Sequence, residues 1–506
     1  MPKRTVILTS FYQDSVVLMR LAALVRLRPG IREAVAFMGT PANHDLLEDA
    51  GLATPESRQA RPEDLILTVE AGTASEADAA LAAARQLLLE RRQSAERVAG
   101  VRPRTLDSAR KLLPGANLVA ISVPGPYARF EAMRALKRGL HVFLFSDNVS
   151  LQDEIELKQE ARRRRLLCMG PDCGTAYLNG TGIGFSNVVT RGRIGCVAAA
   201  GTGLQAVASR LAAHGEGISH GIGVGGRDLS AEVGGLMTLF ALEALASDPG
   251  TEAIVVISKP PHPTVLPRLE AALARLGKPV VACLFGATQQ AESAALWVGA
   301  LDEAADAVVA RLTARPWSPR PFGAPQGIRE RLARLADHRV RGRQVLGLYT
   351  GGTLAHETEV ILEGLLGPTV PHRVLDLGDD RYTVGRPHPM IDPRTRSELI
   401  AKAAASPEVG VLLVDLVLGR GSHPDPARPL AAAVREAKSR AKIERRGLVT
   451  VASVVGTSGD PQGLAAQAAQ LRAVDIEVLP SNAEAARFAS LLVKPELSTM
   501  LLEESS

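Results

Sequence analysis

Two short stretches carry residue types suited to holding a phosphate. Gly201-Thr202-Gly203 and Thr350-Gly351-Gly352-Thr353 each follow an apolar run and precede an amphipathic pattern, in IGCVAAAGTGLQAVASRLAAHG (194–215) and QVLGLYTGGTLAHETEVILEGL (344–365). A strand turning into a helix leaves the N–H groups of the first helical turn unpaired, and the helix dipole adds partial positive charge there. Glycine lets an anion approach that backbone, so a side chain at Gly352 would block it, and a threonine hydroxyl adds a donor. For either stretch alone there is a steric alternative, since small residues also let a helix pack on a sheet. Two in duplicated positions point to an oxyanion gripped from both sides.

Other candidates surround these. His220 to Gly226 formally contains GxGxxG, but a dinucleotide fingerprint needs a preceding strand, a following helix and a later acidic residue. The stretch instead follows a helix and runs into RDLSAE (227–232), which reads as a helix start capped by Ser230. Gly225 and Gly226 then belong to a loop approaching a ligand or a partner backbone. GPDCG (170–174) has the composition of a simple turn. Cys173 within it has no His or Asp at a spacing that indicates a nucleophile's partner. Asp379, Asp380 and Asp415 follow or end strands, where carboxylates either face an α/β ligand crevice or cap helices. Arg227 and Lys259 are candidate sources of positive charge, or surface residues. His356 lies one turn into the second helix. No HxH, HxxxH or HExxH spacing occurs, so no protein-held metal is expected.

The elements that must position these residues are legible from periodicity. Apolar runs such as TVILTS (5–10), DLILTVE (64–70), AIVVIS (253–258) and VGVLLVDLVL (409–418) alternate with helical patterns. Continuous hydrophobicity marks strands buried on both faces, as in parallel sheets covered by helices, and the alternation predicts doubly wound α/β domains. With 46% hydrophobic and 22% charged residues, the chain is neither disordered nor fibrous, and 506 residues imply several domains. No run approaches the roughly 18 apolar residues of a membrane span. The opening MPKRTVILTS reads as a strand rather than a secretory signal. Four cysteines without a CxxC pair fit reduced thiols, so a cytoplasmic protein is expected. The net charge of +5 is small, and ARRRRLL (161–167) ends an amphipathic pattern without interleaved aromatics. A solvated helix end fits it better than nucleic-acid binding.

The segments VPGPY (123–127), FSDNVS (145–150), GPDCG, RGRIG (191–195) with AAAGTG, GIGVGGRD (221–228) and AIVVISKPP (253–261) together resemble the α subunit of succinyl-CoA synthetase and related ADP-forming acyl-CoA synthetases. YTGGTLAHE and LDLGDD, within 344–490, resemble the ligase domain of the β subunit. Both in one chain, after an N-terminal extension, is similar to the FdrA-type layout. The resemblance implies a Rossmann-like CoA-binding-type domain within 1–190, flavodoxin-like ligase domains at 191–312 and 343–495, a Pro-rich linker and helix at 313–342, and a tail at 496–506. It also implies that Gly201–Gly203 and Gly351–Thr353 face one phosphate. Asn148, Asp172, Cys173, Gly225, Gly226, Thr350, Asp379 and Asp380 complete the candidate binding positions, with Arg227, Lys259 and His356 as catalytic candidates.

The departures shape the functional expectation. Synthetases carry their phosphorylated histidine in a loop after the strand corresponding to PVVACLF (279–285), and this chain has no histidine between His262 and His338. It lacks an ATP-grasp domain, and TSFYQDSV (9–16) lacks the glycine-rich turn used for CoA. The expected ligand is therefore phosphate or carbamoyl phosphate, with CoA as a further ligand of the family and no covalently bound cofactor. The expected activity is carbamoyl transfer to an acceptor such as oxamate in allantoin and purine catabolism. An ADP-forming acid–CoA ligase subunit with a separate ATP-grasp partner, or a non-catalytic assembly subunit, are the alternatives. Further subunits or a homodimer are expected, without nucleic acid or membrane.

Overall fold

The computed structural model describes residues 2–13, 15–98, 103–199, 201–286, 293–338, 340–341, 343–383 and 387–503. The chain divides into two compact units, one spanning Met1–Asn117 with Thr383–Pro387, the other Leu118–Tyr382 with His388–Ser506.

In the first unit, β1 (Lys3–Leu8), β2 (Ile31–Met38) and β3 (Leu65–Ala71) form a sheet in the order β1-β3-β2, with β3 antiparallel to both neighbours. Leu65, Leu67 and Val69 pack under the helices Ser15–Arg26 and Ala74–Val98, while Ile66 points the other way onto Leu47 and Leu52. This corrects the inference of a parallel sheet from DLILTVE. The run is continuously apolar because helices cover both faces, and that burial does not report strand direction.

The second unit holds three sheets. β4 (Leu118–Ile121), β5 (His141–Leu144) and β6 (Cys168–Met169) are parallel neighbours in that order, so the parallel strand pairing within 1–190 is confined to a short sheet after residue 117. The hairpin β7 (Thr175–Leu178) and β8 (Thr181–Gly184) joins the next sheet instead, upstream of the expected boundary at 190/191. That sheet continues with β9 (Arg191–Ala198), β10 (Ile218–Gly223), β11 (Ala253–Ser258), β12 (Val280–Leu284) and β13 (Leu296–Val298). The third contains β14 (Gln344–Tyr349), β15 (His372–Asp376), β16 (Val409–Val417), β17 (Val449–Val455) and β18 (Ile476–Leu479).

The duplication is plain in the topology. One half runs β10-β9-β11-β12-β13 and the other β15-β14-β16-β17-β18, all parallel, so each places its second strand outside its first. In such sheets ligands bind beyond the carboxyl ends of the first and third strands, where the winding reverses. Gly201, Thr350, Lys259 and Asp415 all lie at or near those ends. β16 is buried at every residue, as a strand covered on both faces must be.

One local expectation changes and one gains detail. Residues 227–235 are turns, and the helix begins at Leu236 with Gly235 as its N-cap, so Ser230 does not cap it. Asp228 does that work, accepting the N–H groups of Met237 (3.2 Å) and Thr238 (2.7 Å). The arginines of 161–167 end the helix Leu151–Arg164, where Arg162 pairs with Glu243, and Arg163 and Arg164 with Glu160. That is a paired helix end, and the cations complement its dipole. Among the described residues no helix is long and apolar enough to cross a membrane.

Candidate functional site

The two glycine–threonine turns meet. A Cβ on Gly351 would lie 2.8 Å from Cγ2 of Thr202, and a Cβ on Gly203 would lie 2.7 Å from Cγ2 of Thr353. Each helix start thus receives the other's threonine in the space its own glycine leaves open. Gly201 is closed off on another side, its Cβ position lying 2.7 Å from the Thr175 hydroxyl on β7. Among the described residues neither Thr353 Oγ1 nor Thr175 Oγ1 has a hydrogen-bond partner, although both residues are buried. Buried hydroxyls are costly to leave unpaired, and these two lie beside the two helix N-termini.

The chemistry at the second turn differs from the sequence expectation. The N–H groups of Thr350 and Gly351 each donate to the Asp415 carboxylate at 2.8 Å, and the Thr350 hydroxyl donates to both its oxygens at 3.0 Å. Arg396, buried beside it, donates to Oδ1 at 3.1 Å. Burial pushes the Asp415 carboxyl up, against the opposing pull of Arg396 and the three donors. Thr350 and the Gly351 N–H are therefore committed to an internal carboxylate, leaving the N–H groups of the helix beginning at Gly352 for a ligand. Gly352 faces Asp376, whose Oδ2 would lie 2.5 Å from a Cβ. A side chain there displaces Asp376 first. Burial raises the Asp376 carboxyl, with Asp379 and Asp415 adding to it and Lys259 opposing.

Lys259, exposed just past β11, acts electrostatically on both Asp376 and His356. Among the described residues the buried Nε2 of His356 has no partner, its Nδ1 lies 3.7 Å from Glu359, and its ring meets the Phe285 ring edge-on at 5.8 Å. Burial, then Lys259, lowers its pKa, so its imidazole is neutral near pH 7. Lys259 and His356, both candidates from the sequence, thus act on one another, and Asp376 joins them. Sequence reasoning missed Asp376 and His388, and it left Asp415 as either a crevice carboxylate or a cap. His388 Nε2 lies 2.8 Å from the Gly378 Cβ position, which is 3.2 Å from Asp376 Oδ1. Its ring packs on Phe185 at 5.7 Å, Nδ1 accepts the Met390 N–H, and burial lowers its pKa to about 4. The His-Pro dipeptide carried no signal of this.

The remaining candidates lie apart from the turns or point elsewhere. Arg227 donates to Glu154 at 2.7 Å and to the Val149 carbonyl at 2.8 Å, so its guanidinium ties a loop to a helix rather than meeting an anion. Glu154 in turn holds buried Lys158, which also binds Asp228. The Cys173 thiol is buried against the carbonyls of Thr175 and Gly223, and burial pushes it up to about 12, which removes it as a nucleophile. Asn148 and Asp172 are exposed turn residues at positive φ. Gly225, at φ 87, rests on the Pro171 carbonyl, and Gly226 is exposed. Asp379 pairs with Arg381, while the side chain of Asp380 lies outside the described residues.

Residues 348–492 match the family described as CoA-ligase, and residues 1–103 that described as AllF, heavy metal-associated domain. The chain is 38% identical over 495 residues to the "Uncharacterized protein YahF" of Escherichia coli (strain K12), covering 93% of this chain and 95% of that protein. The chain belongs to the YahF family. Within this FdrA-type family the superfamily relation is also visible, with 29% identity over 175 residues to the succinate–CoA ligase [ADP-forming] subunit alpha of Methanothermobacter thermautotrophicus. That match covers 34% of this chain and 58% of the relative. A "Malate--CoA ligase subunit alpha" of Methylorubrum extorquens is 28% identical over 182 residues, 34% of this chain and 60% of that one. The chain thus spans little more than half the length of these ligase subunits. The apo dinucleotide-forming acetyl-coenzyme A synthetase 1 of Ca. Korarchaeum cryptofilum aligns over 74% of this chain and 82% of its own, at 16% identity and a TM-score of 0.31.

The metal in the N-terminal family's description does not fit these residues. Residues 1–103 contain no cysteine and one histidine, His44, whose Nε2 lies 3.0 Å from the Ala60 carbonyl. Among the described residues no group of three or more His, Cys, Asp or Glu is placed to hold a metal ion.

Proposed function

We propose that the chain is a subunit of an ADP-forming acid–CoA ligase type of assembly, holding the phosphoryl group of an acyl phosphate at the paired helix starts. The observation that carries this reading is the reciprocal glycine–threonine contact flanked by the unpartnered hydroxyls of Thr175 and Thr353. Helix N–H groups beyond Gly352 and Thr202 and the two dipoles favour the phosphate oxygens, and exposed Lys259 adds charge. In the forward step a CoA thiol attacks the acyl carbon, the carbon–oxygen bond to phosphate breaks, and phosphate leaves into the same cradle. His356, neutral and with Nε2 unpartnered among the described residues, takes the thiol proton. The ligase names of the relatives favour this reading over carbamoyl transfer, which the sequence alone put first.

Carbamoyl transfer remains the second reading, on one observation. The segment between His262 and His338 holds no histidine to relay a phosphoryl group, which suits direct use of a ready-made acyl phosphate. The test is the purified chain with the proteins encoded beside it, assayed for CoA- and acid-dependent ADP formation and, separately, for phosphate release from carbamoyl phosphate and oxamate. ADP formation supports the first reading, and release with oxamate alone supports the second. Failure of both, with Thr353→Val leaving phosphate affinity unchanged, removes the site.

A further inference from the structure

A cavity with many basic side chains in its lining opens at the other end of the third sheet, where β17 and β18 begin. It has a volume of about 1120 Å³ and lies between the linker helix Pro325–Leu335, the end of the helix Ala427–Ile443 and the end of the helix Leu464–Arg472. Seven Lys and Arg side chains line it against three carboxylates. Much of that charge is already committed. Glu477 is held by Arg331 and Arg334 at 2.6 and 2.5 Å, Lys438 donates to the Val474 carbonyl, and Arg446 to Glu444. Lys442, Arg445 and Arg472 are exposed and have no protein partner among the described residues.

Three helix C-termini converge here, each worth roughly half a negative charge. They offset part of the excess and leave a surplus of about two to three positive charges, concentrated on the three uncommitted side chains. The floor is different in kind, formed by Leu335, Leu448, Val449 and Ile476. A basic rim over an apolar floor, in a volume somewhat above the usual range of small-molecule sites, suits a ligand with a flat apolar body and a chain of negative charges.

We propose that this cavity binds a nucleoside di- or triphosphate, base on the floor and phosphates on Lys442, Arg445 and Arg472. It is separate from the paired helix starts, which lie at the carboxyl ends of the strands, and it does not depend on the activity assigned to them.

The test is calorimetric titration of the full chain with ATP, ADP and inorganic tripolyphosphate, at low and at physiological salt. Wild type should bind ATP and ADP more tightly than tripolyphosphate. The double variant Lys442→Glu, Arg472→Glu should weaken ATP by at least about tenfold, or roughly 1.4 kcal/mol. Its unfolding midpoint should move only slightly, because both side chains are exposed and interact with little besides their own helix C-termini. Gly203→Ala, at the other site, should leave ATP affinity intact. No ATP binding by wild type, or undiminished binding in the double variant, overturns the proposal. Tripolyphosphate binding as tightly as ATP, or ATP being displaced by an acidic polypeptide at lower concentration than by ADP, overturns the assignment of a nucleotide.

Discussion

The reciprocal glycine–threonine contact predicts a compensating pair of substitutions. Gly203→Ala places a Cβ 2.7 Å from Thr353 Cγ2, 3.3 Å from Thr353 Cβ and 3.1 Å from Ile257 Cγ2. Overpacking of a buried contact costs about 1–3 kcal/mol, while glycine to alanine inside a helix returns up to about 1 kcal/mol. The single variant should therefore lose roughly 1–2 kcal/mol. Thr353→Ser removes the methyl that makes the closest contact and leaves the hydroxyl. In the double variant the remaining approaches exceed 3.0 Å, which neighbours absorb by small shifts. The double-mutant cycle should give a favourable coupling of about 1–2 kcal/mol. Urea unfolding of the four proteins, with phosphate affinity measured alongside, reads it directly. Additivity within about 0.5 kcal/mol would mean that the two helix starts do not touch, and the shared anion site would go with that contact.

Three further outcomes follow from the electrostatics. Asp415→Asn leaves buried Arg396 without its counter-charge and should destabilise the second ligase domain by about 3–5 kcal/mol, seen as a lowered urea midpoint; an unchanged midpoint refutes the committed carboxylate. Lys259→Met removes a charge that holds the His356 pKa down, so that pKa should rise toward its ordinary value in an NMR titration while turnover falls, and a static pKa would show that Lys259 is remote. His388 is neutral in the fold down to about pH 4 and protonates near 6.5 when unfolded. Its contribution is complete above 6.5 and is lost as pH falls toward 4, by up to about 3 kcal/mol. His388→Gln should flatten that acid slope, and an identical slope would place the ring in water.

How much was legible in the sequence depended on the range of the interaction. The strand–turn–helix repeats at 194–215 and 344–365 were visible because hydrophobic periodicity and glycine turns are local, and both halves fold with the same strand order. Direction was not visible in β3, because antiparallel and parallel strands covered on both faces present the same continuous apolar run. Arg227 shows the limit for single residues. Its charge is explicit in the sequence, but its partner Glu154 lies 73 positions away and takes the guanidinium out of use. Cys173 was likewise a candidate only until burial against two carbonyls raised its thiol.

The sequence by itself determined that two helices would begin in glycine and threonine at equivalent places in a duplicated α/β framework. Nothing local could decide that Gly351 would receive Thr202 and Gly203 would receive Thr353, or that Asp415 would occupy the first donors of the second turn. Those are contacts between segments more than sixty residues apart. They form because two sheets bring the carboxyl ends of the first strands of their parallel halves together, and the space each glycine leaves at that seam is taken by the neighbour's threonine.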